Sequence, residues 1–301
     1  MRRTIVSSLA GAVALAAAVF VPSAHAAGSA ATGASCSLAP GSVLDSGTQD
    51  NGGITVGYPA RSVGLPGPVF GVFAPGAVRF STTFTSDASN LGATNDGWVV
   101  QGDSLYYRLY SIDTMNEFVP GLPNVTQRIG GGWSNFTAVE VSRTTARTTA
   151  YGLRSDGTLF RWSVIGSGWR SAGSATGFAA VKSMALISKT ATYDTFLANT
   201  RGGALYTIHI PTAGPMKPIV KTVRTKTWQG FEKLLASKCG NYGTLLVGID
   251  KDTKTTHWYA VGRANGTATV INHVSSAAGR YGAPVYFRWG STPDIDPLNG
   301  E

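Results

Sequence analysis

The stretch from Arg128 to Phe136, RIGGGWSNF, sets Gly130, Gly131 and Gly132 against Trp133, with Phe136 close behind. Glycine lets backbone N–H groups approach a ligand closely. An indole adds a flat apolar face and a single N–H donor. Together they suit a ligand with mixed polar and apolar surfaces. The same residues also suit a joint, in which the aromatics pack and the glycines relieve crowding, because aromatic side chains are often buried. Packing is the reading for Phe136, Phe178 and Phe231. Both readings stand for Trp133, Trp169 and the adjacent glycines.

Catalytic chemistry has weaker support. Glycoside hydrolysis normally needs two carboxylates flanking the bond. Of the 16 acidic residues, Asp103, Asp156, Asp250 and Asp252 fall in turn sequences, where an Asp side chain bonds its own backbone. No Gly-x-Ser-x-Gly elbow and no His-Glu-x-x-His motif occurs. The expectation is a protein that is not an enzyme and uses no cofactor. Cys36, Cys239, His209, His257 and His273 show no ligand-like spacing, so no metal site is expected.

The N-terminus reads as an export signal over residues 1–26: Arg2 and Arg3, the apolar IVSSLAGAVALAAAVFVP, then AHA at the cleavage position. Loss of those two arginines lowers the formal charge from +9 to +7. In a secreted chain this basicity points to anionic cell-wall polymers or to solubility alone, not to nucleic acid. Later segments fall short of the ~20 apolar residues of a membrane span. Lys217, Lys221, Arg224, Lys226, Lys233 and Lys238 face only Glu232 among acids in their segment, and are expected to form one basic surface. Two cysteines in an exported chain predict a Cys36–Cys239 disulfide.

Short runs rich in Val, Ile, Tyr, Phe and Trp, bounded by Gly, Asn, Asp and Ser, predict an all-β chain. Hairpins are expected over Gly97 to Ser111, Tyr151 to Val164, Phe196 to Ile210 and Leu246 to Gly262, with a further one over Pro68 to Phe84. Their spacing of about 45 to 55 residues is that of a four-stranded blade. Each is preceded by an aromatic and a short strand, around Phe136, Phe178 and Phe231, and a last such piece near Tyr281 has no hairpin after it. The prediction is a single β-propeller of five blades, six being the alternative, with the strand at Val285 to Trp289 pairing beside N-terminal strands to close the ring. The expected division is signal 1–26, extension 27–45, propeller 46–292 and tail 293–301.

RIGGGWSNFTAVEVS followed by AYGLRSDGTLFRW resembles the repeat of the tachylectin family of five-bladed propeller lectins. The likeness rests on Ile129, Gly130, Gly131, Gly132, Trp133 and Phe136, and then on Asp156, Gly157, Leu159 and Phe160. Later units keep only parts of it, around Trp169 and Trp228. The resemblance implies binding of N-acetylated hexosamines between blades, with Gly131, Gly132, Trp133, Trp169, Trp228 and Asp156 as site residues. The expected function is thus a secreted protein that binds N-acetylated or cell-surface glycans without catalysis. The alternatives are a propeller subunit that meets a secreted protein partner, and a propeller glycoside hydrolase.

Overall fold

Turn chemistry fixes the strand registers. Gly157 closes a hairpin at φ +85°, and a Cβ there would lie 2.2 Å from the backbone nitrogen of Ala179. Only glycine meets both demands. Strands on either side alternate or are buried on both faces, as in TTAYGLR, so that neighbouring sheets pack against both surfaces.

A computed structural model describes residues 36–50, 55–58, 61–63, 67–279, 281–292 and 296–301. The expected export signal lies outside these residues. In chain order the strands are β1 (Cys36–Val43), β2 (Gln49–Asp50), β3 (Thr55–Tyr58), β4 (Arg61–Val63), β5 (Val78–Ser81), β6 (Phe84–Ser89), β7 (Gly92–Gln101), β8 (Ser104–Asp113), β9 (Asn124–Gly131), β10 (Phe136–Arg143) and β11 (Thr148–Arg154). They continue as β12 (Leu159–Ile165), β13 (Gly168–Ala175), β14 (Val181–Lys189), β15 (Tyr193–Thr200), β16 (Leu205–Pro211), β17 (Ile219–Arg224), β18 (Lys233–Cys239), β19 (Gly243–Asp250), β20 (Thr255–Val261), β21 (Ile271–Ala278) and β22 (Val285–Gly290). The chain is all-β over the described residues.

Strands β10 to β13, β14 to β17 and β18 to β21 form three four-stranded antiparallel meanders. The remaining strands form one larger sheet, in which β4-β3-β1-β22 meets β6-β7-β8-β9 through a parallel contact of two residue pairs, Trp289 with Phe84 and Gly290 with Thr85. The four hairpins read from the sequence are those of β7/β8, β11/β12, β15/β16 and β19/β20. The fifth is not a hairpin: Val69 bridges Gln49, and β5 pairs with β7. The apolar core lies between successive sheets. Tyr151, Phe196 and Ile208 fill one junction, Leu197, Trp228 and Leu246 the next.

The Val285 to Trp289 strand pairs with β1 in antiparallel register, from Val43 opposite Val285 to Ala39 opposite Trp289. Of the expected N-terminal extension, Cys36–Val43 forms β1 of the larger sheet. The tail is also engaged: Leu298 is buried, and Gly300 donates to Ile187 O and accepts from Ala264 N. Cys36 and Cys239 are joined, with Cα atoms 4.9 Å apart, which ties β1 to β18. Among the described residues no helix is long and apolar enough to cross a membrane.

Candidate functional site

The glycine–tryptophan segment links β9 to β10, and its backbone donors are already engaged. Asp103, in the β7/β8 turn, accepts from Gly132 N at 3.2 Å and Ser134 N at 2.6 Å, and its carbonyl accepts from Trp133 N at 3.1 Å. Asp103 was expected to bond its own turn, but it reaches the segment opening the next sheet. The Ser134 amide, then that of Gly132, holds its carboxyl below the ordinary carboxylate value. Trp133 is buried against Phe136, Trp162 and Trp169, with ring centroids 4.4, 5.5 and 5.8 Å away. Trp228 is buried against Phe231 and Tyr259. Trp169 is half-buried in the Trp133 cluster, while Gly131 and Gly132 are exposed. Asp156 is exposed; its bonds to Arg154 and then to Thr158 N lower its pKa. Trp133, Trp169, Gly131 and Gly132 thus lie at one junction, and Trp228 and Asp156 lie elsewhere.

A more open space lies where β22 meets β6. This groove of about 400 Å³ is lined from β6, β7 and β8 by Ser86, Ser89, Asn95, Tyr110 and Ile112, and across the junction by Ala39 and Trp289. Its surface is mainly apolar, with hydroxyl and amide groups among the lining side chains. Trp289 turns its indole nitrogen toward Gly41, where a Cβ would lie 2.8 Å from Nε1. Tyr110 donates its hydroxyl to Gln49 Oε1 at 2.8 Å, and burial raises its pKa. Asn95 is 2% exposed, yet among the described residues its carboxamide has no hydrogen-bond partner. Buried amides are normally bonded. The Asn95 amide thus lines the groove as a donor and acceptor that no described protein group uses.

A second, polar pocket of about 150 Å³ forms where β5, β10, β14, β18 and β22 begin. Glu140, Glu232, Lys182, Lys233 and Lys251 line it together with Arg79. At the far side, Arg288 and Lys189 converge on Asp296 at 2.7 and 3.4 Å. Burial pushes Asp296 up, but Arg288 and then Lys189 outweigh it and keep the carboxyl below its ordinary value. Glu232, Asp250 and Asp252 bring ligand oxygens within 4.8 Å of one another. Glu232 bonds Lys182 and the Lys251 amide, and Asp250 bonds the Thr253 amide.

The basic segment does not form one surface. Lys217, Lys221 and Lys226 are exposed around β17, an outer strand, and Arg224 bonds the carbonyls of Val223 and Thr269. Lys233 lines the polar pocket, and Lys238 lies at the other end of β18. The segment leaves an outer strand and enters the first strand of the next sheet, so adjacent numbers end far apart.

Sequence reading missed Asn95, Tyr110 and Trp289. The one signal was Asn95 itself, a short amide side chain inside a strand, where asparagine is disfavoured.

No protein-family model matches the chain and no curated protein matches it. Among solved structures, the chain is similar to an α-L-arabinofuranosidase from Podospora anserina in complex with cellotriose, at 12% identity and TM-score 0.43, over 70% of this chain and 73% of that one. It is similar to the catalytic domain of a GH62 α-L-arabinofuranosidase from Coprinopsis cinerea, at 12% identity and TM-score 0.42, over 70% and 73%. It is also similar to the BP39L lectin from Burkholderia pseudomallei, at 16% identity and TM-score 0.40, over 80% and 69%. The expectation of a protein that is not an enzyme is corrected by this finding, since the first two of these structures are enzymes. The sequence argument against catalysis rested on acids in turns, whereas Glu140 and Glu232 line a pocket.

Proposed function

We propose that the chain is a closed five-bladed propeller whose groove between β22 and β6 binds carbohydrate, with an N-acetylated hexosamine as the fitting ligand. The ring is supported by the five strands that meet at the polar pocket and by the ten-stranded sheet, whose main path divides at its short parallel contact into four strands on each side, with β2 added beside β1 and β5 beside β7. The sugar reading is carried by Asn95. Its unbonded carboxamide offers a donor and an acceptor, the complement of an acetamido group. The apolar wall and Trp289 suit the sugar's C–H face.

The test is calorimetric titration of N-acetylglucosamine and N-acetylgalactosamine into the wild type and Asn95→Ala. Binding that weakens at least about tenfold in the variant supports the groove. Equal binding by both proteins would remove Asn95 from the site, and no binding of any sugar on a broad array would end the carbohydrate reading. Chromatography of oligosaccharides incubated with the protein, run beside the titrations, shows whether bound sugar is cleaved.

A further inference from the structure

Six charged side chains line the polar pocket, and five of them are engaged. Arg79 donates to the carbonyls of Gly102, Trp133, Ser134 and Phe136. Lys182 bonds Glu232 and the Gln229 carbonyl, each at 2.6 Å, and Lys251 Nζ donates to the Pro284 carbonyl at 2.9 Å. Glu140 accepts from the amide and the hydroxyl of Thr83 at 2.9 and 3.3 Å. Lys233 is the sixth. It stands at the start of β18, and among the described residues its ammonium has no hydrogen bond and no ion pair.

Lys233 is half-buried, and an ammonium partly withdrawn from water without a counter-ion is costly. Burial lowers the Lys233 pKa, and Glu140 offsets this only in part. Around it stand three other cations and two carboxylates, so with Lys233 the wall carries an excess of positive charge. The two carboxylates are already held by Thr83, Lys182 and the Lys251 amide, which leaves Lys233 as the donor available to a guest. A space of about 150 Å³ suits a charged head group and a few attached carbons.

We propose that this pocket is an oxyanion site in which the Lys233 ammonium pairs with a carboxylate or phosphate group. It is a different site from the groove at Asn95, and the two stand or fall separately.

The test titrates the wild type, Lys233→Met and Asn95→Ala with D-glucuronate, inorganic phosphate and neutral D-glucose at low ionic strength. At least one anion should bind the wild type about tenfold more tightly than glucose. Lys233→Met should lose that binding, and Asn95→Ala should keep it. Glucuronate binding alone identifies an acidic sugar, and phosphate binding alone identifies a phosphate group. The proposal is overturned when neither anion outperforms glucose, or when Lys233→Met binds anion like the wild type. If Lys233→Met does not fold, acetylation of the native wild type mapped by mass spectrometry gives the answer. Lys233 should be labelled in the free protein and shielded by the anion, and labelling that the anion leaves unchanged overturns the site.

Discussion

The backbone N–H of Trp228 donates to the carbonyl of Gly203 at 3.0 Å. Phe178 does the same to Gly157 at 3.0 Å, Trp133 to Asp103 at 3.1 Å and Gly279 to Lys254 at 3.0 Å. Each acceptor lies in the central hairpin turn of one sheet, and each donor lies in the segment that leads from that sheet's last strand into the neighbouring sheet. One hydrogen bond, repeated, sets how each sheet meets its neighbour.

That joint should fail when its turn is altered. Gly157→Ala places a Cβ against the backbone of Ala179 at a positive φ, a strain of about 1 to 3 kcal/mol. Urea unfolding should show a lower midpoint with an unchanged slope.

Asp103→Ala should lower the melting temperature at pH 7 by about 3 °C, because two amides lose their acceptor. The folded-state pKa of Asp103 lies below its ordinary value of 3.8, so its contribution is complete above that pH and is lost as pH falls through the folded value. Melting curves of the two proteins should therefore differ at pH 7 and converge in strong acid.

Trp133→Ala should destabilise the protein by about 3 to 5 kcal/mol, as expected when a large buried aromatic is truncated. Where the variant is still folded it should bind sugar like the wild type. Chemical unfolding and sugar titration under the same conditions separate these effects.

Lys233→Met should raise the melting temperature at pH 7 by about 2 to 4 °C by removing a half-buried charge that has no ion-pair partner among the described residues. The Lys233 pKa is lowered from 10.5, so the cost of the charge is complete below the folded value and fades as pH rises through the unfolded one. The advantage of Met should therefore shrink as melts approach pH 10.5 from below and vanish above it. Saturating anion should also narrow it, by stabilising only the wild type.

The strands and hairpins were legible because their information is local. Ser155-Asp156-Gly157 states its own turn, and Val285 to Trp289 is a strand without a following hairpin. The Cys36–Cys239 pairing followed from the absence of other cysteines. The sites were less legible because they arise between sheets. Asn95 and Trp289 become neighbours only through the contact of β22 with β6. Lys233 reads as one more basic residue in its segment until the starts of four other strands surround it. The glycines beside Trp133 suggested a cradle, but nothing in their order shows that Asp103, nearly thirty residues earlier, already holds the Gly132 and Ser134 amides.

The pairing of β1 with β22 also bears on the order of synthesis. Among the described strands β1 is made first and its partner β22 last. Until Val285 to Gly290 emerge, β1 carries a row of unanswered N–H and C=O groups, the kind of edge on which other chains add strands. The three meanders can form as they are made, whereas this sheet must wait for the last strand. A product that stops short of Val285 is therefore a fold with a permanent open edge rather than a smaller propeller.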